Sequence, residues 1–121
     1  MSYVDGYVIP LPKKHLKAYQ KMASKAGKIW IEHGALDYKE CVGDDLKVQG
    51  LATFTKTCKV KASETVIFAF IVYKSRKHRD LVNGKVMKDP RIHALCNEKS
   101  APFDMKRMVY GGFKVIVDSK K

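Results

Sequence analysis

From Val66 to Tyr73 the chain reads Val-Ile-Phe-Ala-Phe-Ile-Val-Tyr, a run with no charged or amide side chain. β-branched and aromatic residues at this density favour a strand, and side chains along a strand alternate between two faces. A strand with one face in water alternates apolar with polar, whereas this one requires both faces dry. In a chain of 121 residues, about two helices can cover one face of a small sheet. A second copy of the protein is the simplest cover for the other.

The segments around this strand define the architecture. Residues 3–10, Tyr-Val-Asp-Gly-Tyr-Val-Ile-Pro, read as a first strand, with Tyr3, Asp5 and Tyr7 on one face and Val4 and Val8 on the other. Pro10 and Pro12 are expected to end it and to launch a helix. Over residues 13–33, Leu16, Tyr19, Ala23, Ala26 and Trp30 recur at helical spacing as one apolar stripe. Lys14, Lys17, Lys21, Lys25 and Lys28 form a basic ridge opposite. Gly34 suits a left-handed C-cap, with His33 at the negative end of the helix dipole.

A second strand is expected over 35–42, closed by Gly43-Asp44-Asp45. Residues 46–63 carry little pattern and read as a long connection, an arm or a lid. The apolar strand takes 65–73. Ser75 then offers an N-cap to a second helix that runs to about Lys88 and stops at Asp89-Pro90. Ile92–Cys96 suits a further helical turn. A last strand is expected over 107–117, where Gly111-Gly112 suggests a bulge or a close backbone approach.

Strand, helix, strand, strand, helix, strand is the ferredoxin-like βαββαβ order, an α+β fold with an antiparallel sheet and both helices on one face. The length suits a single domain over 1–121. Leaving roughly 500–800 Å² of apolar sheet wet costs about 12–20 kcal/mol at ~25 cal/mol per Å². That exceeds the net stability of most domains, so a sheet-to-sheet homodimer is expected.

Other features narrow the classes. The composition is 45% apolar, ordinary for a globular chain. No run approaches a membrane span and the N-terminus has no signal pattern, so a soluble, cytoplasmic protein with no membrane partner is expected. Cys41, Cys58 and Cys96 are odd in number and without C-x-x-C spacing, which suits reduced thiols. Twenty-four Lys plus Arg against twelve Asp plus Glu leave a net charge of +12, compatible with RNA, DNA or anionic small molecules.

Several segments resemble a known family: Tyr3-Val-Asp-Gly-Tyr-Val, Tyr73-Lys-Ser-Arg-Lys-His-Arg-Asp-Leu-Val-Asn, Lys85-Val-Met-Lys-Asp-Pro-Arg91 and Lys106-Arg-Met-Val-Tyr-Gly-Gly-Phe-Lys-Val. Over nearly the whole chain they resemble the YbaA-like family of small bacterial proteins of unknown function. The resemblance implies membership of the dimeric α/β-barrel superfamily, in which two ferredoxin-like subunits pair face to face. That superfamily hosts several unrelated chemistries, so fold alone carries no function.

The residues that suggest chemistry are few. Asp5 is unusual in mid-strand. If its face lines the dimer barrel, its carboxylate must find a donor such as Tyr3, Tyr7, Tyr110 or Arg107. It then either fixes register or acts as a base or ligand anchor. His78, between Arg76 and Arg79 in the second helix, is the other proton acceptor to consider. None of His15, His33, His78 and His93 has metal-ligand spacing, and His15 and His33 would lie about 27 Å apart at 1.5 Å per residue. Asp44-Asp45 reads as a turn rather than a cation site. No Walker or Rossmann loop is present, so no cofactor is indicated.

Three functions remain. The first is a small-molecule-binding protein, a class that includes cofactor-independent enzymes. Its pocket would use Asp5 and His78 as catalytic groups and Tyr7, Trp30, Arg76, Arg107 and Tyr110 to bind a small ligand, the arginines favouring an anionic one. The second is an RNA-binding module using the lysine ridge. The third is a non-catalytic structural dimer.

Overall fold

The computed structural model describes residues 2–121. In chain order the elements are β1 (Tyr3–Pro12), α1 (Leu16–Glu32), β2 (Asp37–Val42), α2 (Phe54–Thr57), β3 (Glu64–Tyr73), α3 (Arg76–Met87), α4 (Pro90–Leu95) and β4 (Val109–Lys114). Short 3-10 turns at Lys13–His15 and Met105–Arg107 lead into α1 and β4. The strands form one antiparallel sheet in the order β2-β3-β1-β4. This is the ferredoxin-like topology expected from the element order.

Strand register assigns each side chain to a face. Tyr3, Asp5, Tyr7, Ile9 and Leu11 of β1 pair with Tyr73, Ile71, Ala69, Ile67 and Thr65 of β3. Their face packs on Ala23, Ala26 and Ile29 of α1, Val82 and Val86 of α3 and Ile92 of α4. The helix stripe of α1 is therefore the inner wall of the core. Gly27 belongs to the same wall because a Cβ there would come within 2.8 Å of the Tyr38 ring.

Caps follow the sequence closely. Gly34 takes a left-handed conformation with φ of 116°, closing α1. Ser75 Oγ accepts from the His78 backbone N–H at 3.1 Å and starts α3. Asp89 accepts from Arg91 N–H at 2.9 Å, with Pro90 in the first turn of α4.

Some boundaries differ from expectation, each for a local reason. β1 continues through both prolines instead of ending at Pro10. Its pairing with β4 covers only Tyr3–Val8, so Pro10 and Pro12 need no donor on that side. Lys13 N–H reaches the other way, to Ser63 O at 3.0 Å. The last strand is shorter than 107–117, and its register with β1 is unbroken, so Gly111-Gly112 makes no bulge. Gly112 is small because the Tyr3 side chain, not another backbone, occupies the space a Cβ would need. Lys14 lies in the 3-10 turn just before the helix. Residues 46–63 contain the single turn α2, whose Phe54 ring meets Phe68 edge-on at 6.4 Å.

The opposite sheet face carries Val4 and Val8 of β1, Phe68, Phe70 and Val72 of β3, and Val109 and Phe113 of β4. The α2 arm shields the Val66 end of this face. Phe68 is still 45% exposed and Phe113 61%. Among the described residues the single-turn α2 is the one helix that reaches this face, at Phe68. The two-faced apolar pattern of β3 thus leaves a partly bare sheet.

Candidate functional site

Two adjoining polar assemblies interrupt the apolar layer between helices and sheet. The first surrounds Asp5, which has no exposed surface. Arg79 Nη1 donates to Asp5 Oδ1 at 2.8 Å, and Asn83 Nδ2 donates to Oδ2 at 3.2 Å. Arg79 and Asn83 stand one helical turn apart on α3, and with Val82 and Val86 they form its inward stripe. The Arg79 guanidinium also donates to Tyr110 Oη at 2.7 Å and lies 4.9 Å from the Tyr3 ring centre. Asn83 Oδ1 accepts from Trp30 Nε1 and Tyr73 Oη, both at 3.0 Å.

Asp5 is therefore held within one subunit and faces the helices, not the open sheet face. The side chains of its opposite strand positions explain the geometry. Gly112 on β4 opens space for Tyr3, and Ile71 on β3 seals the other flank. An unpaired charge in this setting costs several kcal/mol. Burial raises the Tyr73 and Tyr110 hydroxyls above their ordinary range, with the Asp5 charge adding to it, so both remain protonated donors.

The second assembly is a cavity of about 340 Å³ between the sheet, α1, α4 and the segment 96–108. One cross-strand row makes its floor: Tyr7 pairs with Ala69, and Ala69 with Glu40; Tyr110, paired with Tyr7, continues the row beyond it. Ala69 is the small residue in that row, and Ala23 and Ala26 sit above it on α1. The missing side-chain volume is the cavity. Tyr19, Met22, Trp30, Ile92, Cys96, Phe103 and Met108 complete its apolar wall, and the exposed Met87, His93 and Met105 mark its mouth.

Glu40 is the charge in this wall. Its Oε1 accepts from Tyr19 Oη and its Oε2 from Tyr38 Oη, each at 2.7 Å. Burial pushes its carboxyl above the usual 4.5, while the two tyrosine hydroxyls hold it partly back. Tyr19 and Tyr38 are themselves pushed well up, first by burial and then by Glu40. The Tyr7 hydroxyl has no hydrogen-bond partner among the described residues; burial and then the Asp5 charge raise it, so it stays a donor. Its ring lies 4.9 Å from that of Tyr110. Trp30 lines the cavity while its N–H reaches Asn83, so it joins the two assemblies.

Of the residues singled out in the sequence, Tyr7 and Trp30 line the cavity, and Asp5 and Tyr110 stand beside it. His78 lies outside: its Nδ1 accepts from Lys74 N–H at 3.0 Å and its ring packs edge-on against Tyr73. Arg76 is exposed at the start of α3. Arg107 does not reach Asp5; it binds Glu64 at 2.7 Å and Lys59 O at 2.9 Å. The five lysines of the ridge are exposed. Glu40, Tyr38, Arg79 and Asn83 were not singled out. The signal for Glu40 was the one that marked Asp5, a carboxylate at the inward parity of a strand, between Tyr38 and Val42. Among the described residues no cluster of His, Cys, Asp or Glu could hold a metal ion, and no helix is long and apolar enough to cross a membrane.

The chain is a ferredoxin-like α+β fold with a cavity under its helices and a partly bare sheet face. An uncharacterised NIPSNAP domain protein from Burkholderia xenovorans shares it, with a TM-score of 0.59 at 11% identity, over 98% of this chain and 99% of that one. The chain belongs to the family described as protein of unknown function (DUF1428), whose model matches residues 2–105. It is 42% identical to the uncharacterised protein YbaA of Escherichia coli K12 over 118 residues, 98% of this chain and 99% of that protein. The YbaA protein of Shigella flexneri matches to the same extent.

Two measurements check the electrostatics. Asp5→Ala leaves the Arg79 side chain, only 13% exposed, with the solvent-facing Asp80 as its remaining ion-pair partner, and should cost about 3 kcal/mol in urea unfolding. Asp5→Leu combined with Arg79→Met should recover most of that loss. A single-variant cost below about 1 kcal/mol contradicts the buried-pair account. For Glu40 the folded carboxyl binds its proton more tightly than the unfolded one, so stability falls as pH rises from about 4.5 through the folded value. The urea midpoint of the wild type should therefore drop relative to Glu40→Gln between pH 4 and 8. A pH-independent difference shows that burial does not perturb this group.

Proposed function

We propose that the protein is a homodimeric small-molecule-binding protein whose ligand occupies the cavity between sheet and helices. The observation that carries this reading is the half-buried Glu40 carboxylate, set in the wall of a mainly apolar cavity. Packing alone would favour filling the gap with methyl groups over holding a partly desolvated carboxylate beside it. A chamber of about 340 Å³ falls within the usual range for small ligands, and such sites combine apolar walls with a few directed polar groups.

The lining favours a neutral ligand. Among the described residues no Lys or Arg lines the cavity, and the nearby Arg79 is already neutralised by Asp5. Arg76 and Arg107, on which an anionic ligand rested, point elsewhere. The polar groups on offer are the Tyr7 hydroxyl and the Glu40 carboxylate, which suit a compact ring compound carrying a carbonyl or hydroxyl group. Asp5 supports this pocket through Arg79, Asn83 and Trp30 rather than by touching the ligand.

Trp30 is the only tryptophan in the chain and lies in the cavity wall, so its fluorescence reads occupancy directly. Titration with 2-naphthol or 1-tetralone should change that emission saturably at micromolar concentrations. Ala69→Leu, which fills the floor, should weaken the response at least tenfold. No saturable response to either compound, or an undiminished one in the filled variant, overturns the ligand reading.

The second copy belongs on the bare sheet face. Val4, Val8, Phe68, Phe70, Val72, Val109 and Phe113 make one contiguous apolar surface across β3, β1 and β4, and a standard interface buries about 800 Å² per partner. Sedimentation equilibrium at ten micromolar should give twice the chain mass. Phe68→Lys with Phe113→Glu should give a folded monomer. A wild-type monomer at that concentration overturns the dimer.

A further inference from the structure

We propose that Glu40 and Tyr7 form a proton-transfer pair that enolises a carbonyl compound in the helix–sheet cavity. The proposal rests on reading that cavity as a ligand site and names the chemistry and the substrate class, neutral one- or two-ring ketones with an α C–H bond.

The register sets the distance. Tyr7 and Glu40 both pair with Ala69, so their Cα atoms stand two strand spacings apart, about 10 Å. Both side chains rise from the same face into the same chamber. Between their polar ends lies room for a carbonyl group and its α carbon, with Ala69 beneath them. Tyr7 offers an uncommitted O–H donor at one end of this gap. Glu40 offers a carboxylate at the other, oriented through hydrogen bonds from Tyr19 and Tyr38. Those two tyrosines are positioning residues.

Glu40 also has a second outlook. Besides the cavity it lines the solvent-open groove between α1 and β2, together with Gln20, Ser24, Gly27, Lys28 and Tyr38. A proton taken from a ligand inside can therefore pass to water on the other side while the ligand stays bound. A side chain that served packing alone would have no use for contact with both compartments.

The step balances without oxidant or cofactor. The ligand carbonyl oxygen accepts a hydrogen bond from Tyr7 Oη. A Glu40 oxygen takes the α proton, the C–H pair becomes the carbon–carbon double bond, and the carbonyl π pair moves to the oxygen held by Tyr7. Returning a proton to the same carbon gives hydrogen exchange; returning it to the γ carbon of an unsaturated ketone gives a shifted double bond. Burial supports both roles, making Glu40 a stronger base than an exposed carboxylate and keeping Tyr7 protonated.

The test is loss of the α-proton NMR signal of cyclohexanone and 1-tetralone in D₂O, with Trp30 fluorescence measured on the same samples. The wild-type protein should accelerate exchange over buffer. Glu40→Gln should reduce that acceleration about 10²–10⁴-fold and Tyr7→Phe about 10²–10³-fold, both retaining the fluorescence response. Glu40→Asp, which keeps the base on a shorter arm, should restore part of the rate lost in Glu40→Gln. A fluorescence response without exchange, or exchange undiminished in Glu40→Gln, overturns the proton-transfer proposal and leaves the ligand site standing. Absence of both signals overturns the ligand reading and this proposal with it.

Discussion

The central strand β3 must be kept dry on both faces, and the rest of the molecule is arranged around that demand. Its inward residues Ile67, Ala69, Ile71 and Tyr73 are buried beneath the helices. Pairing with β1 on one side and β2 on the other leaves it no free edge. The helices can serve only one face, because both crossovers in this topology lie on the same side of the sheet. One face therefore becomes the core, and the other is left with Phe68 and Phe113 partly bare.

Within the core, residue size decides where chemistry can sit. A helix layer packed on a sheet normally fills the gap with branched side chains. Here Ala69 of the sheet and Ala23 and Ala26 of α1 line the same cavity, and none of the three has the bulk to fill it. The surrounding large residues, Tyr7, Tyr19, Trp30, Tyr38 and Phe103, bridge around the gap instead of closing it. Polar groups then occupy its rim in pairs that satisfy each other: Asp5 with Arg79 and Asn83, Glu40 with Tyr19 and Tyr38. Asp5 has both oxygens engaged and is walled off, so its role is to anchor α3 and, through Asn83, Trp30. Glu40 is engaged as well, yet it faces open space on two sides. The proposed base role of Glu40 rests on that difference.

Most of the fold was legible because it is written in local patterns. The α1 stripe, the Gly34 and Ser75 caps and the parity of β1 and β3 each depend on neighbours within a few residues. The site was legible only in part, because it depends on which strands become neighbours. Asp5 stood out at once, but its partner is 74 residues away. Arg79 drew notice as a neighbour of His78, though it shares a helical stripe with Val82 and Val86. Arg107 looked available and is instead spent on Glu64 beside the end of the arm. Glu40 carried the same parity signal as Asp5, but strand 35–42 has too mixed a pattern for one carboxylate to stand out. Cavities leave still less trace, since Ala69 inside an apolar run reads as ordinary packing. Its meaning comes only from the alanines of α1 that the fold sets above it.

The alternation of β3 also links the two proposed activities while keeping them separable. Phe68 and Phe70 flank Ala69 in sequence but point to the other side of the sheet. A partner subunit docked on the phenylalanines would stiffen the strand whose alanine floors the pocket, without placing any atom in the pocket itself. Substitutions at Phe68 would then change assembly and leave the pocket lining intact, whereas substitutions at Ala69 would do the reverse. One residue's shift along the strand exchanges the proposed pocket for the proposed interface, because the pleat turns adjacent side chains to opposite faces.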